Sequence, residues 1–174
     1  MLNAYVPNWQ LSSIYCLTPE ELHQHHISLV LTDLDNTLVP WNHKEKTKQL
    51  MDWIDMMKQA GVPIVVVSNN KEERVRRVVE PLGIDYIARS KKPFTTGIRR
   101  ALERYHKKPS EAVLIGDQLM TDIKAAHDAG VRSILVKPMV ETDAWNTRIN
   151  RYLEKKIKQS LQKKVQWQWR DQLI

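Results

Sequence analysis

Seven polar residues stand where short apolar segments of the sequence end, and their types suit phosphate chemistry and metal binding. Four are aspartates, two carry a hydroxyl or an amide, and one is a lysine: Asp33, Asp35, Asp117, Asp122, Ser68, Asn69 and Lys92. Carboxylates that crowd into one site repel one another, and a hard cation is the usual remedy. A site with few carboxylates that keeps several waters suits Mg²⁺. These residues therefore indicate a Mg²⁺ site, in which a phosphate dianion and the lysine complete the balance of charge.

The elements that must position these residues are short apolar runs alternating with segments of helical periodicity. The runs predict five strands, at 27–32, 62–67, 84–88, 112–115 and 133–136. Their hydrophobicity is continuous, which is typical of strands buried on both faces. Alternation with helices predicts an α/β fold with a parallel five-stranded sheet between two helical layers. Because ligands bind beyond the carboxyl ends of such strands, the polar residues are expected to share one cleft.

The same residues resemble a known family in four places. Residues 33–37 (DLDNT) resemble the first motif, DxDxT, of the haloacid-dehalogenase (HAD) superfamily of phosphatases. Ser68, which follows an apolar strand, resembles the second motif, and Lys92 before Pro93 resembles the third. Residues 116–122 (GDQLMTD) resemble the fourth. A single short match would be weak, but four in the expected order imply the superfamily and its Rossmann-like core.

The resemblance implies a role for each matching residue. Asp33 would attack phosphorus and become an aspartyl-phosphate, and Asp35 would protonate the leaving oxygen and later deprotonate water. Ser68 would bind the phosphoryl oxygens together with backbone N–H groups, including that of Asn69. Lys92 would balance the charge on Asp33 and the phosphoryl group. Lys91 is the alternative lysine, and the position of Lys92 directly before Pro93 favours Lys92.

The resemblance also implies a set of metal ligands. Mg²⁺ would be held by a carboxylate oxygen of Asp33, the backbone carbonyl of Asp35, and Asp117. Asp122 would bind the metal through water or orient Lys92, and capping of the following helix is an equal alternative. Thr37 would brace the loop.

The spacing of the motifs leaves no room for a cap domain. About 33 residues separate Asp35 from Ser68 and about 24 separate Ser68 from Lys92, and each interval is needed for one helix and one strand of the core. The chain thus resembles the capless subclass IIIA. Residues 33–41 (DLDNTLVPW), with Ser13–Tyr15 upstream and GDQLMTD downstream, are similar to a bacterial subgroup of phosphatidylglycerophosphate phosphatases. That similarity implies an anionic phospholipid as the phosphomonoester substrate.

Most of the net charge of +7 lies in the last 31 residues, which hold eight Lys or Arg and two acidic residues. Apolar residues recur there at every fourth position, predicting a basic amphipathic helix: Trp145, Ile149, Leu153, Ile157, Leu161 and Val165. Such a helix could pack on the core with a solvated basic face, lie on an anionic membrane or bind RNA. The predicted division is an N-terminal extension with a short helix (1–26), a phosphatase core (27–140) and a basic helix and tail (141–174).

Three functions stay open from the sequence. The first is Mg²⁺-dependent dephosphorylation of phosphatidylglycerophosphate, by a cytoplasmic protein that contacts the inner face of the membrane. The second is a phosphatase for a soluble sugar or nucleotide phosphate. The third is a non-enzymatic protein that binds RNA or a ribosomal particle through its tail. A single cysteine, Cys16, excludes an internal disulfide and any multi-cysteine zinc site.

Overall fold

A computed structural model describes residues 2–42, 46–140 and 148–174, with side chains from residue 151 onward in the last range. Within these ranges six strands form one sheet: β1 (Trp9–Leu11), β2 (Leu29–Thr32), β3 (Ile64–Val67), β4 (Asp85–Ile87), β5 (Ala112–Gly116) and β6 (Arg132–Val136). Their order across the sheet is β1-β6-β5-β2-β3-β4, and every pair is parallel. Of the two central strands, β2 ends directly before the first motif and β5 ends at the start of the fourth.

Helices α1 (Pro19–Gln24), α2 (Lys48–Gln59), α3 (Glu72–Val79), α4 (Thr96–Arg104) and α5 (Lys124–Ala129) lie between successive strands, and α6 (Arg148–Leu161) follows β6. A π-helical turn, Leu119–Ile123, precedes α5. Helix α1 begins at Pro19 because the Thr18 hydroxyl accepts from the Glu21 N–H while the Glu21 carboxylate accepts from the Thr18 N–H. No described helix has the length and apolar character needed to cross a membrane.

Two apolar clusters lie on opposite faces of the sheet and confirm the three-layer α/β prediction. On one face, Val30 and Val66 pack with residues of α2 and α3 such as Ile54 and Val75. On the other face, Leu31 packs with residues of α4 and α5. All four residues of β2 are buried, as are all four of β3. The continuous apolar runs in the sequence reflect this burial on both sides.

The described sheet has six strands where the sequence predicted five. Strand β1 was not predicted because it has only three residues and no apolar run marks it. Its backbone is fixed instead by pairing with β6, with Trp9 opposite Ile134 and Leu11 opposite Val136. The outer edge of β1 is covered by the C-terminal tail, where the Ser12 N–H donates to the Arg170 carbonyl at 2.7 Å. Strand pairing thus extends into the predicted N-terminal extension.

The described part of α6 packs on the core and leaves Lys155 and Lys156 exposed, with Arg151 and Lys158 half-buried. Leu161 is buried, and Ile157 and Trp167 pack against Leu119 and Leu135. Leu153, predicted on the apolar stripe, is 40% exposed, whereas Glu154 is buried. The buried face therefore follows Glu154, Ile157 and Leu161 instead of every fourth residue. Trp145 lies outside the described residues, as does the side chain of Ile149.

Candidate active site

Asp33 and the buried Lys92 form an ion pair at the carboxyl end of β2. Asp33 directly follows β2, and its N–H donates to the carbonyl of Ile115 in the neighbouring strand at 2.8 Å. The Lys92 Nζ donates to Asp33 Oδ1 at 2.9 Å and to Asp122 Oδ1 at 2.6 Å. Burial alone would lower the pKa of Lys92, but the charges of Asp122 and Asp33 outweigh it and raise that pKa above its usual range. Lys92 is therefore a fixed ammonium group beside Asp33.

Asp117 and Asp122 come to the same point from the segment after β5. The Thr37 hydroxyl donates to Asp117 Oδ1 at 3.3 Å, and Asp122 Oδ2 accepts from the Gln118 N–H at 3.1 Å. Asp122 thus pairs with Lys92 and accepts a hydrogen bond at the start of the π-helical turn, and α5 has no side-chain cap. Gly116 makes this approach possible, because a Cβ there would lie 2.2 Å from the Asp122 Cγ.

Three carboxylates, two of them paired with Lys92, lie close together and could hold a metal ion. Asp33, Asp117 and Asp122 each offer one oxygen, and the three oxygens lie within 4.8 Å of one another. Burial, reinforced by the charges of Asp122 and Asp33, raises the pKa of Asp117 well above its usual value. Burial raises the pKa of Asp122 to about 6, although Lys92 opposes the shift. A hard divalent cation fits this all-oxygen set, because one lysine cannot balance three carboxylates.

Asp35 is held from the side of α3. Its Oδ1 accepts from Arg74 Nη2 at 2.6 Å, and its Oδ2 accepts from the Asn70 amide. Burial raises the pKa of Asp35, against the lowering effect of Arg74. Asn36, which follows, has φ of 60°, a left-handed conformation that asparagine tolerates better than most residues. The turn after β2 therefore separates Asp35 from Asp33 and gives the two carboxylates different partners.

The loop that carries Lys92 is pinned by Asn69. The Asn69 amide donates to the Lys92 carbonyl at 2.8 Å and accepts from the Lys92 N–H at 2.7 Å and from the Ser90 hydroxyl at 2.8 Å. Arg89 and Lys91 have φ of 48° and 59°, and their side chains are exposed, whereas Ser90 and Lys92 are buried. The structure thus brings Lys92 to Asp33 and leaves Lys91 in solvent.

Ser68 lies at the end of β3, on the same edge of the sheet. It is buried, and its Oγ accepts from the Asn70 N–H at 3.2 Å. In the part of the chain that the structure describes, its hydroxyl proton has no acceptor. The hydroxyl is therefore available to donate to an oxygen of a bound ligand.

Three contributors to the site were missed from the sequence. The Asn70 amide donates to Asp35, and the N-cap of α3 is the next residue, Lys71, which makes no side-chain cap. Arg74 lies within α3, and no local pattern in the sequence indicated that its guanidinium reaches Asp35. The buried Glu154 carboxylate of α6 accepts from the Met120 N–H at 3.3 Å, and no local pattern indicated that contact.

Comparisons with known proteins agree with this geometry. Residues 30–91 match the family described as haloacid dehalogenase-like hydrolase, and residues 89–156 match the family described as HAD-hydrolase-like. A Bacillus subtilis protein named probable phosphatase YqeG is 38% identical over 167 residues, which are 96% of this chain and 97% of that protein.

Two more distant matches add to these. A protein of Halopiger xanaduensis named ribulose-1,5-bisphosphate 5-phosphatase is 29% identical over 100 residues, covering 52% of this chain and 42% of that protein. The crystal structure of an uncharacterized Listeria monocytogenes protein superposes with a TM-score of 0.53 at 22% identity, covering 68% of this chain and 85% of that one. This likeness supports the fold alone.

Proposed function

This chain belongs to the haloacid dehalogenase-like hydrolases and is a phosphatase, and from that premise we propose that it is Mg²⁺-dependent and works through an aspartyl-phosphate on Asp33. The observation that carries the proposal is the ion pair between Asp33 and Lys92 amid the carboxylates of Asp117 and Asp122. A nucleophilic carboxylate needs such a fixed positive neighbour to approach an anionic phosphoryl group.

The chemistry takes two displacements at phosphorus. In the first, an Asp33 carboxylate oxygen bonds to phosphorus, the ester P–O bond breaks, and the leaving alkoxide takes a proton from Asp35. In the second, Asp35 takes a proton from water, whose oxygen bonds to phosphorus. The bond from phosphorus to Asp33 then breaks, which releases inorganic phosphate. Lys92 and the hydroxyl of Ser68 bind the phosphoryl oxygens in both steps, together with the N–H of Asn69.

The metal has a natural place in this scheme. Asp33, Asp117 and the backbone carbonyl of Asp35 would hold Mg²⁺, and Asp122 would act through water and through Lys92. When bound, the ion would offset the charge that develops on the phosphoryl oxygens. Thr37 would support the site by its hydrogen bond to Asp117.

We propose phosphatidylglycerophosphate as the substrate. The described residues between Asp35 and Ser68 form α2 and β3, and those between Ser68 and Lys92 form α3 and β4. This supports a capless cleft that is open to a large or membrane-embedded substrate. The similarity of residues 33–41 to the phosphatidylglycerophosphate phosphatases supports the same choice. The exposed lysines of α6 would favour contact with an anionic membrane.

A soluble sugar phosphate is the second candidate. The Halopiger xanaduensis relative is named for a sugar bisphosphate, and its 29% identity extends over half of this chain. An open cleft would admit such a substrate as well. The two candidates share a phosphomonoester and differ in the alcohol that leaves.

Phosphate release with Mg²⁺ separates the candidates. Phosphatidylglycerophosphate in mixed micelles is compared with a panel of soluble phosphomonoesters, with Asp33→Asn as the inactive control. A lipid preference of ~10²-fold in kcat/KM, about 2.7 kcal/mol of transition-state discrimination, is expected. Turnover of soluble esters alone would keep the mechanism and overturn the lipid assignment.

A further inference from the structure

Arg74 reaches the catalytic loop from α3 and holds Asp35. Its Nη2 donates to Asp35 Oδ1 at 2.6 Å and to the carbonyl of Trp41 at 3.1 Å. Its side chain is 36% exposed, whereas that of Lys92 is only 2% exposed. Arg74 is thus a cation at the mouth of the site that is open to a ligand, in contrast to the enclosed lysine.

Most of the hydrogen-bonding capacity of Arg74 is unused. A guanidinium has five N–H donors in a rigid fork, and Nη2 provides only two of them. Across the described residues, neither Nε nor Nη1 of Arg74 makes a hydrogen bond. Such a fork matches the paired oxygens of a phosphate or a phosphodiester. Arg74 can therefore bind an anion while it still contacts Asp35.

Arg74 lies beside Asp35, the residue proposed to protonate the alcohol that leaves. Asp35 can protonate the leaving oxygen only from hydrogen-bond distance, and Arg74 binds the same carboxyl group. The leaving oxygen and the guanidinium therefore lie within ~8 Å of each other, because that distance is the sum of two hydrogen-bond lengths and the width of one carboxylate. A substituent a few carbons from that oxygen would pass the free donors of Arg74.

We propose that Arg74 binds a second anionic group, a phosphate or a phosphodiester, on the alcohol part of the substrate. The inference rests on the proposed function in one respect, that Asp35 serves the leaving oxygen. It makes Arg74 the residue that selects doubly anionic substrates over simple phosphomonoesters. Phosphatidylglycerophosphate and a sugar bisphosphate both carry such a group, so the two substrate candidates share this chemistry.

The competing role is purely one of positioning, in which Arg74 only orients Asp35. Loss of a positioning residue would slow every substrate by the same factor. Loss of an anion-binding residue would slow doubly anionic substrates far more than simple ones. Arg77, on the same helix, is an exposed arginine paired with Glu73 at 2.8 Å, and Arg77→Gln supplies a control with the same change of charge.

The test uses three soluble probes and the variants Arg74→Gln and Arg77→Gln. Glycerol 3-phosphate lacks a second anion, deacylated phosphatidylglycerophosphate carries a phosphodiester, and ribulose 1,5-bisphosphate carries a phosphate. The wild type and Arg77→Gln are expected to favour one or both doubly anionic probes by about tenfold or more in kcat/KM, because a charge-assisted contact is lost without the second anion. Arg74→Gln is expected to lose that preference. Which doubly anionic probe is favoured identifies the source of the anion.

Equal slowing of all three probes by Arg74→Gln would overturn the inference, as would a wild type without preference. If turnover is too slow to measure, calorimetric binding of the probes to Asp33→Asn and to Asp33→Asn/Arg74→Gln makes the same comparison. Failure of the proposed function is distinguishable. An Arg74-dependent preference for ribulose 1,5-bisphosphate, without turnover of the lipid, would uphold the inference and reject the lipid. Full activity of Asp33→Asn would reject the mechanism itself.

Discussion

Replacement of Glu154 by glutamine should stabilise the protein at neutral and alkaline pH. The Glu154 carboxylate is buried beneath α6, where it accepts from the Met120 N–H at 3.3 Å. Burial raises the pKa of Glu154 from 4.5 to about 7, although the Met120 N–H and Lys158 oppose the shift. Glutamine has a similar shape, can accept the same hydrogen bond and carries no charge to bury.

The magnitude follows from that pKa. A rise from 4.5 to about 7 corresponds to roughly 3 kcal/mol, at about 1.4 kcal/mol per tenfold change in the ionisation constant. Between these pH values the folded protein binds the proton more tightly than the unfolded chain does. The contribution of Glu154 to the free energy of unfolding therefore falls as the pH rises through this window. Glutamine does not titrate, so the stability difference between Glu154→Gln and the wild type should grow by ~2–3 kcal/mol from pH 4.5 to pH 8.

Urea unfolding at a series of pH values, with a chelator present, measures this difference directly. The groups common to both proteins, Asp117 and Asp122 among them, cancel to first order in the comparison. Glu103→Gln, at an exposed position of α4, is the matched control and should show no comparable growth. A stability difference for Glu154→Gln that stays constant across the series would refute the reasoning.

Three further changes test the packing of the site. Gly116→Ala should lower the free energy of unfolding in urea by ~1–3 kcal/mol, because the alanine Cβ would lie 2.2 Å from the Asp122 Cγ. A variant as stable as the wild type would contradict that close contact. Asn69→Ala should lower kcat about tenfold or more and the free energy of unfolding by only ~1–2 kcal/mol, because the backbone of Lys92 loses its two hydrogen bonds to the Asn69 amide. Unchanged turnover would show that the loop keeps its conformation without Asn69. Lys92→Met should abolish phosphate release and lower the free energy of unfolding by ~3–5 kcal/mol, because Asp33 and Asp122 lose their buried cationic partner. A fully active variant would exclude a catalytic role for Lys92.

The layered sheet was predictable because burial on both faces leaves continuous apolar runs in the sequence. Strands β2 and β3 are such runs, and they lie where the sequence predicts them to within two residues. Strand β1 escaped prediction because its three residues are fixed by their pairing with β6. The buried face of α6 was not predicted correctly either, because that face buries the carboxylate of Glu154 and leaves Leu153 exposed.

The centre of the site was predictable for a related reason. Asp33, Ser68 and Asp117 each follow a strand, and parallel strands bring their carboxyl ends to one edge. Arg74 and Glu154 lie within helices, and which side chain reaches the site from a helix depends on how that helix packs on the sheet. That packing is a tertiary property, so local pattern could not identify these two residues.

The most direct test of the central claim is chemical trapping of the phosphorylated residue. The protein is mixed with substrate and Mg²⁺, quenched in acid during turnover and treated with borohydride, which reduces an aspartyl-phosphate to homoserine. Peptide mass spectrometry should then find homoserine at position 33 alone, only with substrate and metal present, and not in Asp33→Asn. Turnover without modification of Asp33, or with the label on another residue, would contradict Asp33 as the nucleophile.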